Sequence, residues 1–191
     1  MQRRLAMSRL SPDYTFLCYR EVTADFLRAQ GISYLLLDID NTLAPYEQPD
    51  PDEHIRAWLD SLRQAGIRAA FVSNNHGDRV ERFNSTLGLP LQCDAKKPLA
   101  RRAKRLLASL GGTRENSALM GDQIFTDVLC AHNCGIRAIL VPPIKDRTDR
   151  LTRFKRYFER GVLRRYYKKH QSASDIRKGS PLAAEHNKEK V

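Results

Sequence analysis

The stretch "YLLLDIDNTLAPYE", residues 34–47, is an apolar run that ends in two carboxylates. Asp38 and Asp40 lie two residues apart, so in an extended chain their side chains point to the same side. Like charges that face the same way disfavour each other, and solvation alone explains a carboxylate at the end of an apolar strand poorly. The stretch therefore predicts a buried strand followed by a site that holds a positive charge.

The composition predicts a globular protein of one domain. The chain has 191 residues, of which 41% are hydrophobic and 29% are charged, enough for a three-layer core. It has neither the roughly 18 consecutive apolar residues of a membrane span nor an N-terminal apolar core of about 7 to 15 residues. We therefore expect a cytoplasmic protein with reduced cysteines, and peripheral attachment to the inner face of a membrane is an open alternative.

Short apolar runs alternate with helical patterns along the chain. The runs cover residues 34–39, 68–73, 117–121 and 136–141, and residues 89–94 are a candidate for one more short strand. Apolar runs of this length are typical of strands that are buried on both faces. The alternation predicts an α/β fold, a parallel sheet with helices on both faces.

Polar residues follow the predicted strands at the edge where such sheets bind ligands. They comprise carboxylates, a hydroxyl, amides and lysines: Asp38, Asp40, Ser73, Asn74, Asn75, Lys96, Lys97, Asp122 and Asp127. Carboxylates hold a hard cation such as Mg2+, and the cation and a lysine together neutralise phosphate oxygens. The pattern indicates phosphoryl transfer, with a metal as the positive charge beside Asp38 and Asp40.

Four short motifs resemble those of the haloacid dehalogenase (HAD) superfamily of phosphatases. They are "DIDNTL", "VSNN", "KKP" and "GDQIFTD", which occur in the expected order within residues 34–142. The longer stretches around them are similar to the YqeG-type group of subclass IIIA, and this similarity continues into the basic C-terminal segment. The resemblance implies the Rossmann-like HAD fold.

The resemblance also implies a role for each matching residue. Asp38 would be the nucleophile that forms an aspartyl-phosphate, and Asp40 would be the general acid and then the general base. Ser73 would bind the phosphoryl oxygens. Lys97 would pair with the nucleophile and the phosphate, and the adjacent Lys96 is the alternative for this lysine.

The same resemblance implies a magnesium site and further substrate contacts. Asp38, Asp122 and the backbone carbonyl of Asp40 would bind Mg2+, and Asp127 would support the metal from the same loop. The candidate substrate-binding residues are Asn41, Thr42 and Asn74.

The spacing of the motifs leaves no room for a separate cap domain. An open site suits a phosphate that is too large to enclose, such as one on a macromolecule or a lipid headgroup. We divide the chain into an N-terminal segment with a short helix (1–32), a phosphatase core (33–145), a basic amphipathic helix (146–170) and a disordered tail (171–191).

Basic charge is concentrated in the C-terminal quarter. Residues 145–191 hold 15 Lys and Arg against 6 Asp and Glu, a net charge of +9, whereas residues 1–144 have a net charge of +2. Read as a helix, residues 147–169 place aromatic and aliphatic side chains on one side and cations on the other. This pattern fits either contact with an anionic membrane surface or a final helix packed on the sheet.

Two classes of function follow from these features. The first is a magnesium-dependent phosphomonoesterase, and the resemblance suggests a phospholipid headgroup such as phosphatidylglycerophosphate as its substrate. A small soluble phosphate or a nucleotide is the alternative substrate. The second class is a protein that binds RNA or another polyanion through its basic tail. The complete set of motifs favours the enzyme, so nucleic acid is the less favoured partner. The oligomeric state stays open.

Overall fold

The computed structural model describes residues 9–145. The predicted amphipathic helix at 146–170 and the predicted tail at 171–191 lie outside the described residues, as do residues 1–8. The strands are β1 (Tyr14–Thr15), β2 (Tyr34–Leu37), β3 (Arg68–Val72), β4 (Leu91–Gln92), β5 (Ser117–Gly121) and β6 (Arg137–Leu140). The α-helices are α1 (Ala24–Ala29), α2 (Glu53–Gln64), α3 (Gly77–Asn84), α4 (Arg101–Leu110) and α5 (Leu129–Cys134). A 3-10 turn covers Tyr19–Glu21, and a π-helical turn, Ile124–Val128, precedes α5.

The six strands form one sheet in the order β1-β6-β5-β2-β3-β4, and all neighbouring strands are parallel. The predicted α/β fold is confirmed, including the short strand within residues 89–94. Between β2 and α2 the chain forms only the loop 38–52, and the described residues contain no inserted cap domain.

The helices cover both faces of the sheet because alternate strand residues point to opposite faces. On one face, Leu35 and Leu37 belong to a core that includes Ile55 and Leu62 of α2. On the other face, Leu36 packs in a core with side chains of α4 and α5. Burial on both faces is what the continuous apolar run of β2 predicted.

The N-terminal segment adds an edge strand that the sequence did not indicate. Tyr14 and Thr15 pair with Ile139 and Leu140 of β6, and the backbone N–H of Phe16 donates to the Leu140 carbonyl at 3.1 Å. A strand of two residues is too short to give a periodic pattern. This segment therefore contributes a strand to the sheet, and it also contains the helix α1.

The chain order reverses beside β2, whose neighbours are β3 and β5. Ligands of open α/β sheets bind at the carboxyl ends of the strands next to such a reversal. Asp38 directly follows β2, and its backbone N–H donates to the Met120 carbonyl at 2.9 Å. The fold therefore brings the loops after these three strands together. No helix among residues 9–145 has the length and apolar character needed to cross a membrane.

Candidate active site

Two donors hold the Asp38 carboxylate. Lys97 Nζ lies 2.5 Å from Oδ1, and the Thr42 hydroxyl donates to Oδ2 at 3.1 Å. Burial raises the pKa of Asp38 to about 6, against the opposing effect of the Lys97 charge, and nearby Asp127 raises it further. The arrangement fixes a carboxylate that a cation would stabilise, as the apolar run ahead of it predicted.

Lys97 lies between two carboxylates. Its Nζ is 2.5 Å from Asp38 Oδ1 and 2.6 Å from Asp127 Oδ1, and its side chain is 2% exposed. Burial alone would lower the pKa of Lys97, but the charges of Asp127 and Asp38 outweigh it and raise the pKa. Lys96 is exposed, so the structure brings Lys97 and not Lys96 against the predicted nucleophile.

Asn74 binds the backbone of Lys97. Its Nδ2 donates to the Lys97 carbonyl at 3.0 Å, and its Oδ1 accepts from the Lys97 N–H at 2.6 Å. Both ends of the amide are therefore occupied by the loop that carries the lysine. The structure places Asn74 where it fixes that loop, and its predicted contact with substrate stays a prediction.

Ser73 follows β3 and is 1% exposed. Its Oγ accepts the backbone N–H of Asn75 at 3.0 Å, and its own backbone N–H donates to the Gln92 carbonyl at 3.0 Å. The hydroxyl is thus oriented by the turn that follows β3. Its predicted contact with a phosphoryl oxygen remains a prediction.

Three carboxylates converge beside Lys97. Asp38, Asp122 and Asp127 are buried, and one ligand atom from each lies within 4.8 Å of the others. Their charges sum to −3 against +1 on Lys97, so the buried set is left with −2 when all four are ionised. A divalent cation would neutralise it, and three carboxylate oxygens are the hard ligands that Mg2+ prefers. The donor set therefore fits the predicted metal.

Asp127 is held in place by its own loop and by Gly121. Its Oδ2 accepts the Gln123 N–H at 3.0 Å and the Thr126 hydroxyl at 3.2 Å. A Cβ on Gly121 would lie 2.3 Å from Asp127 Cγ, closer than real Cβ atoms approach any heavy atom. Because only glycine leaves this space, the end of β5 determines where the Asp127 carboxylate can lie.

The Asp40 carboxylate contacts Arg79 of α3 and Asn75, and it is not one of the three clustered carboxylates. Arg79 Nη2 and Nε lie 3.1 and 3.3 Å from its Oδ1, and Asn75 Nδ2 lies 3.2 Å from its Oδ2. Of these two partners, Asn75 is among the polar residues expected at this edge from the sequence, whereas Arg79 is not. Arg79 lies four residues after Asn75 in the sequence, but this spacing does not identify Asp40 as its partner.

Asn41 shapes the turn between Asp40 and Thr42. Its φ of +64° is left-handed, a conformation that Asn tolerates better than most residues. Its N–H donates to the Ala44 carbonyl at 2.7 Å, and its carbonyl accepts from the N–H of Ile144 at 3.0 Å. The backbone of Asn41 therefore joins the loop after β2 to the chain after β6. Substrate binding by Asn41 and Thr42 stays a prediction.

Large apolar side chains are exposed at this edge of the sheet. Among residues 9–145 they are Leu17, Tyr46, Leu99 and Ile144, with exposures of 37, 46, 63 and 45%. Each lies in a loop that follows the carboxyl end of a strand. The loops that surround the polar site therefore also carry the exposed apolar side chains.

Comparisons with known proteins agree with the motifs. A family model described as HAD-hydrolase-like matches residues 95–159. The protein named "Probable phosphatase YqeG" of Bacillus subtilis (strain 168) is 32% identical over 142 residues, which cover 74% of this chain and 83% of that protein.

Two solved structures illustrate the structural similarity. The cobalt-bound deoxy-D-mannose-octulosonate 8-phosphate phosphatase YrbI of Haemophilus influenzae is 18% identical, with a TM-score of 0.47 over 76% of this chain and 95% of that one. CbbY of Rhodobacter sphaeroides, in complex with phosphate, is 16% identical, with a TM-score of 0.45 over 62% of this chain and 89% of that one.

Proposed function

This chain belongs to the YqeG group of the HAD-like phosphatases, and on that premise we propose that it hydrolyses phosphomonoesters through an aspartyl-phosphate on Asp38. The observation that carries the proposal is the environment of Asp38. Its carboxylate is buried beside a lysine and a hydroxyl donor, at the edge of the sheet where substrates bind. A carboxylate that is held and partly dehydrated in this way is suited to nucleophilic attack.

The residues divide the reaction between them. Asp38 attacks phosphorus, and the bond to the leaving oxygen breaks while Asp40 gives that oxygen a proton. Lys97 and the Ser73 hydroxyl bind the phosphoryl oxygens and stabilise their charge. Water then attacks the aspartyl-phosphate, Asp40 takes a proton from it, and the electron pair of the broken bond returns to Asp38.

We propose that Mg2+ is the cofactor and that Asp38, Asp122 and Asp127 hold it, with the Asp40 carbonyl as the further predicted ligand. Bound there, the ion would supply positive charge against the phosphoryl oxygens. The fit of the site rests on the −2 charge of the buried set, which one divalent cation offsets. Asp122→Asn removes one of these charges and should weaken magnesium binding.

A phosphate-release assay tests the function and the cofactor together. Wild type should release phosphate with Mg2+, stop in excess chelator and recover when Mg2+ is returned. Asp38→Asn should be inactive at every metal concentration. Asp122→Asn should need more Mg2+ for half-maximal rate and should show a smaller rise in melting temperature on adding the ion. Full activity of wild type in chelator would show that the reaction does not need the metal. An active Asp38→Asn variant would show that the reaction does not pass through an aspartyl-phosphate on Asp38.

We further propose that the substrate phosphate is on a phospholipid headgroup, with phosphatidylglycerophosphate as the candidate. The exposed apolar side chains at the carboxyl edge support this, because an edge that contacts a lipid surface needs such residues beside the polar site. Lys145 lies next to Ile144, is exposed and pairs with Glu47 at 3.3 Å. The predicted membrane contact of residues 147–169 would start from the same place.

Substrate presentation separates this proposal from a soluble substrate. Phosphate release is compared for phosphatidylglycerophosphate in anionic vesicles and for glycerol 3-phosphate, a sugar phosphate and a nucleotide in solution. Leu99→Ser with Ile144→Ser should slow hydrolysis of the vesicle substrate and leave soluble esters unchanged. Gln64 is exposed at the C-terminal end of α2, and Gln64→Ser is the control. This variant should hydrolyse the vesicle substrate and the soluble esters as fast as wild type does. Faster turnover of a soluble ester than of the lipid would favour the alternative substrate class.

A further inference from the structure

We propose that Arg79 is a positioning residue that orients Asp40 for the hydrolysis of the aspartyl-phosphate. This inference rests on the proposed function, because it assigns Arg79 a task within that reaction. Arg79 is located on α3 and does not belong to the three-carboxylate cluster around Lys97. Its task would therefore be exerted through Asp40.

Three N–H groups converge on the Asp40 carboxylate. Arg79 directs Nη2 and Nε to Oδ1 at 3.1 and 3.3 Å, while Asn75 directs Nδ2 to Oδ2 at 3.2 Å. Two donors on one oxygen and one on the other restrict rotation of the carboxylate. The arrangement therefore fixes the orientation of the Asp40 carboxylate plane.

The guanidinium of Arg79 is confined on several sides. Its Cζ lies 5.6 Å from the centre of the Tyr46 ring and 5.7 Å from the centre of the Phe83 ring, and Nη2 also reaches the Pro45 carbonyl at 3.4 Å. The side chain is 15% exposed. Aromatic faces and a carbonyl on a cation restrict its motion, so Arg79 can hold Asp40 in one place.

One nitrogen of the group shows that this placement has a cost. Nη1 of Arg79 is buried and has no hydrogen-bond partner among residues 9–145. A guanidinium selected only for a surface ion pair would keep that N–H in water. Arg79 keeps its contact with Asp40 although Nη1 loses its hydration. We infer that the contact with Asp40 is the reason for the position of Arg79.

The two halves of the reaction need opposite forms of Asp40. When the ester bond breaks, Asp40 donates a proton to the leaving oxygen. When water attacks the aspartyl-phosphate, Asp40 accepts a proton, the bond to Asp38 breaks, and phosphate leaves. For a leaving group that needs little protonation, only the second half depends on Asp40, so losing the contact with Arg79 should slow hydrolysis of the intermediate more than its formation.

Kinetics with p-nitrophenyl phosphate separate the two halves. For this substrate kcat/KM covers the steps up to release of p-nitrophenol, which needs little protonation, whereas kcat also includes hydrolysis of the intermediate. In Arg79→Gln we expect kcat to fall about tenfold or more, since general-base catalysis contributes about 10²- to 10⁴-fold. The value of kcat/KM should change by less than about threefold, and a rapid burst of p-nitrophenol should precede the slow steady rate.

Arg82→Gln is the matched control on the same helix. Arg82 pairs with Asp50 at 3.2 Å, and their side chains are 62 and 55% exposed. Its loss should leave kcat and kcat/KM within about twofold of wild type, as for other exposed ion pairs. Arg79→Lys keeps the charge without the planar group and should restore part of kcat. Arg79→Gln added to Asp40→Asn should cause no further loss if Arg79 acts through Asp40.

Equal losses of kcat and kcat/KM without a burst would overturn the inference, as would an additive loss in the double variant. A change in melting temperature with normal kinetics would also overturn it, because Arg79 would then only stabilise the fold. If Arg79→Gln does not fold, Arg79→Lys must show the same kinetic split, and its absence would count equally against the inference. Wild type that releases no p-nitrophenol would instead contradict the proposed function.

Discussion

The side-chain amide of Asn74 binds the backbone of Lys97 at two points, its N–H at 2.6 Å and its carbonyl at 3.0 Å. These bonds join the loop after β3 to the loop that carries the lysine beside Asp38. The lysine therefore depends on a residue that is distant in sequence for its backbone position, and Asn74 can be tested as its support.

Replacing Asn74 tests that support in two steps. Asn74→Asp keeps an acceptor for the Lys97 N–H but cannot donate to the Lys97 carbonyl, whereas Asn74→Ala loses both bonds. We expect kcat to fall in the order wild type, Asn74→Asp, Asn74→Ala, with about tenfold or more lost in the alanine variant, because small displacements of a catalytic group are costly. Phosphate release at saturating Mg2+ measures this. Equal rates for wild type and Asn74→Ala would show that Lys97 holds its position without Asn74.

Asp38 should weaken the metal-free fold at neutral pH. Its pKa of about 6 is raised above the ordinary value of 3.8, mainly by burial, so the folded state holds the Asp38 proton more tightly than the unfolded state. Stability is then lost as pH rises from about 4 to about 6, by on the order of 3 kcal/mol. Asp38→Asn removes this loss and should melt at a higher temperature than wild type at pH 7.5 without metal. The difference should shrink toward pH 4, and a variant that melts lower at pH 7.5 would contradict the prediction.

Gly121→Ala should damage the cluster around Lys97. The added methyl group would lie 2.3 Å from Asp127 Cγ and 2.5 Å from its Oδ2, so the carboxylate must shift from its present position beside Lys97. We expect about tenfold or greater loss of kcat, together with weaker magnesium binding, measured by phosphate release against metal concentration. Gly77→Ala is the control, since its methyl group would lie 3.3 Å from the flexible end of Glu81 and 3.9 Å from Cys93 Sγ, with no contact under 3.0 Å. Similar losses in both variants would mean that the packing at Gly121 has no special effect.

The N-terminal strand should detach more easily as pH rises. His132 contacts the Arg9 carbonyl at 2.6 Å through Nδ1 and Asp13 Oδ2 at 3.1 Å through Nε2, and the hydrogen bond with Asp13 raises the pKa of His132. The charged imidazole donates to both, so its contribution is complete below about pH 6.5 and is lost as pH rises through the raised pKa.

Hydrogen exchange at the Phe16 N–H reports this detachment, because that group donates to β6. Corrected for the intrinsic rate, protection should fall between pH 6 and pH 8 in wild type, by on the order of 1 kcal/mol. In His132→Gln, protection should be low and independent of pH. Wild-type protection that stays constant over this range would exclude a role for the His132 charge.

The central strands of the sheet, and the polar residues that follow them, could be predicted because these strands have apolar runs that are recognisable in the local sequence. The apolar runs at β2, β3, β5 and β6 have no room for water on either face, and a carboxylate or hydroxyl directly after them must face the sheet edge. Asp38, Ser73 and Asp122 were found in this way. The four HAD-like motifs then gave roles that local patterns cannot give.

The contacts between side chains could not be predicted in the same way. Whether Asn74 binds a substrate or the Lys97 backbone depends on how two loops meet in space, and both uses need the same amide. Arg79 lies in a helix with several other charged residues. Nothing in the spacing shows whether its side chain contacts Asp40 or solvent. Strand β1 was missed because its place is set by pairing with β6 and not by a pattern in its own sequence.

A competitive inhibitor of this phosphatase would gain little selectivity from the residues around Asp38 and Lys97. Within residues 9–145 no inserted domain covers Asp38 and Lys97, so a small phosphate mimic would contact chiefly this charged cluster. Selectivity would have to come from outside that cluster, from a flat lipophilic arm lying across Leu99 or Ile144, whose side chains are 63 and 45% exposed. In a series of such compounds, potency should rise with the length of the arm rather than with closer filling of a pocket.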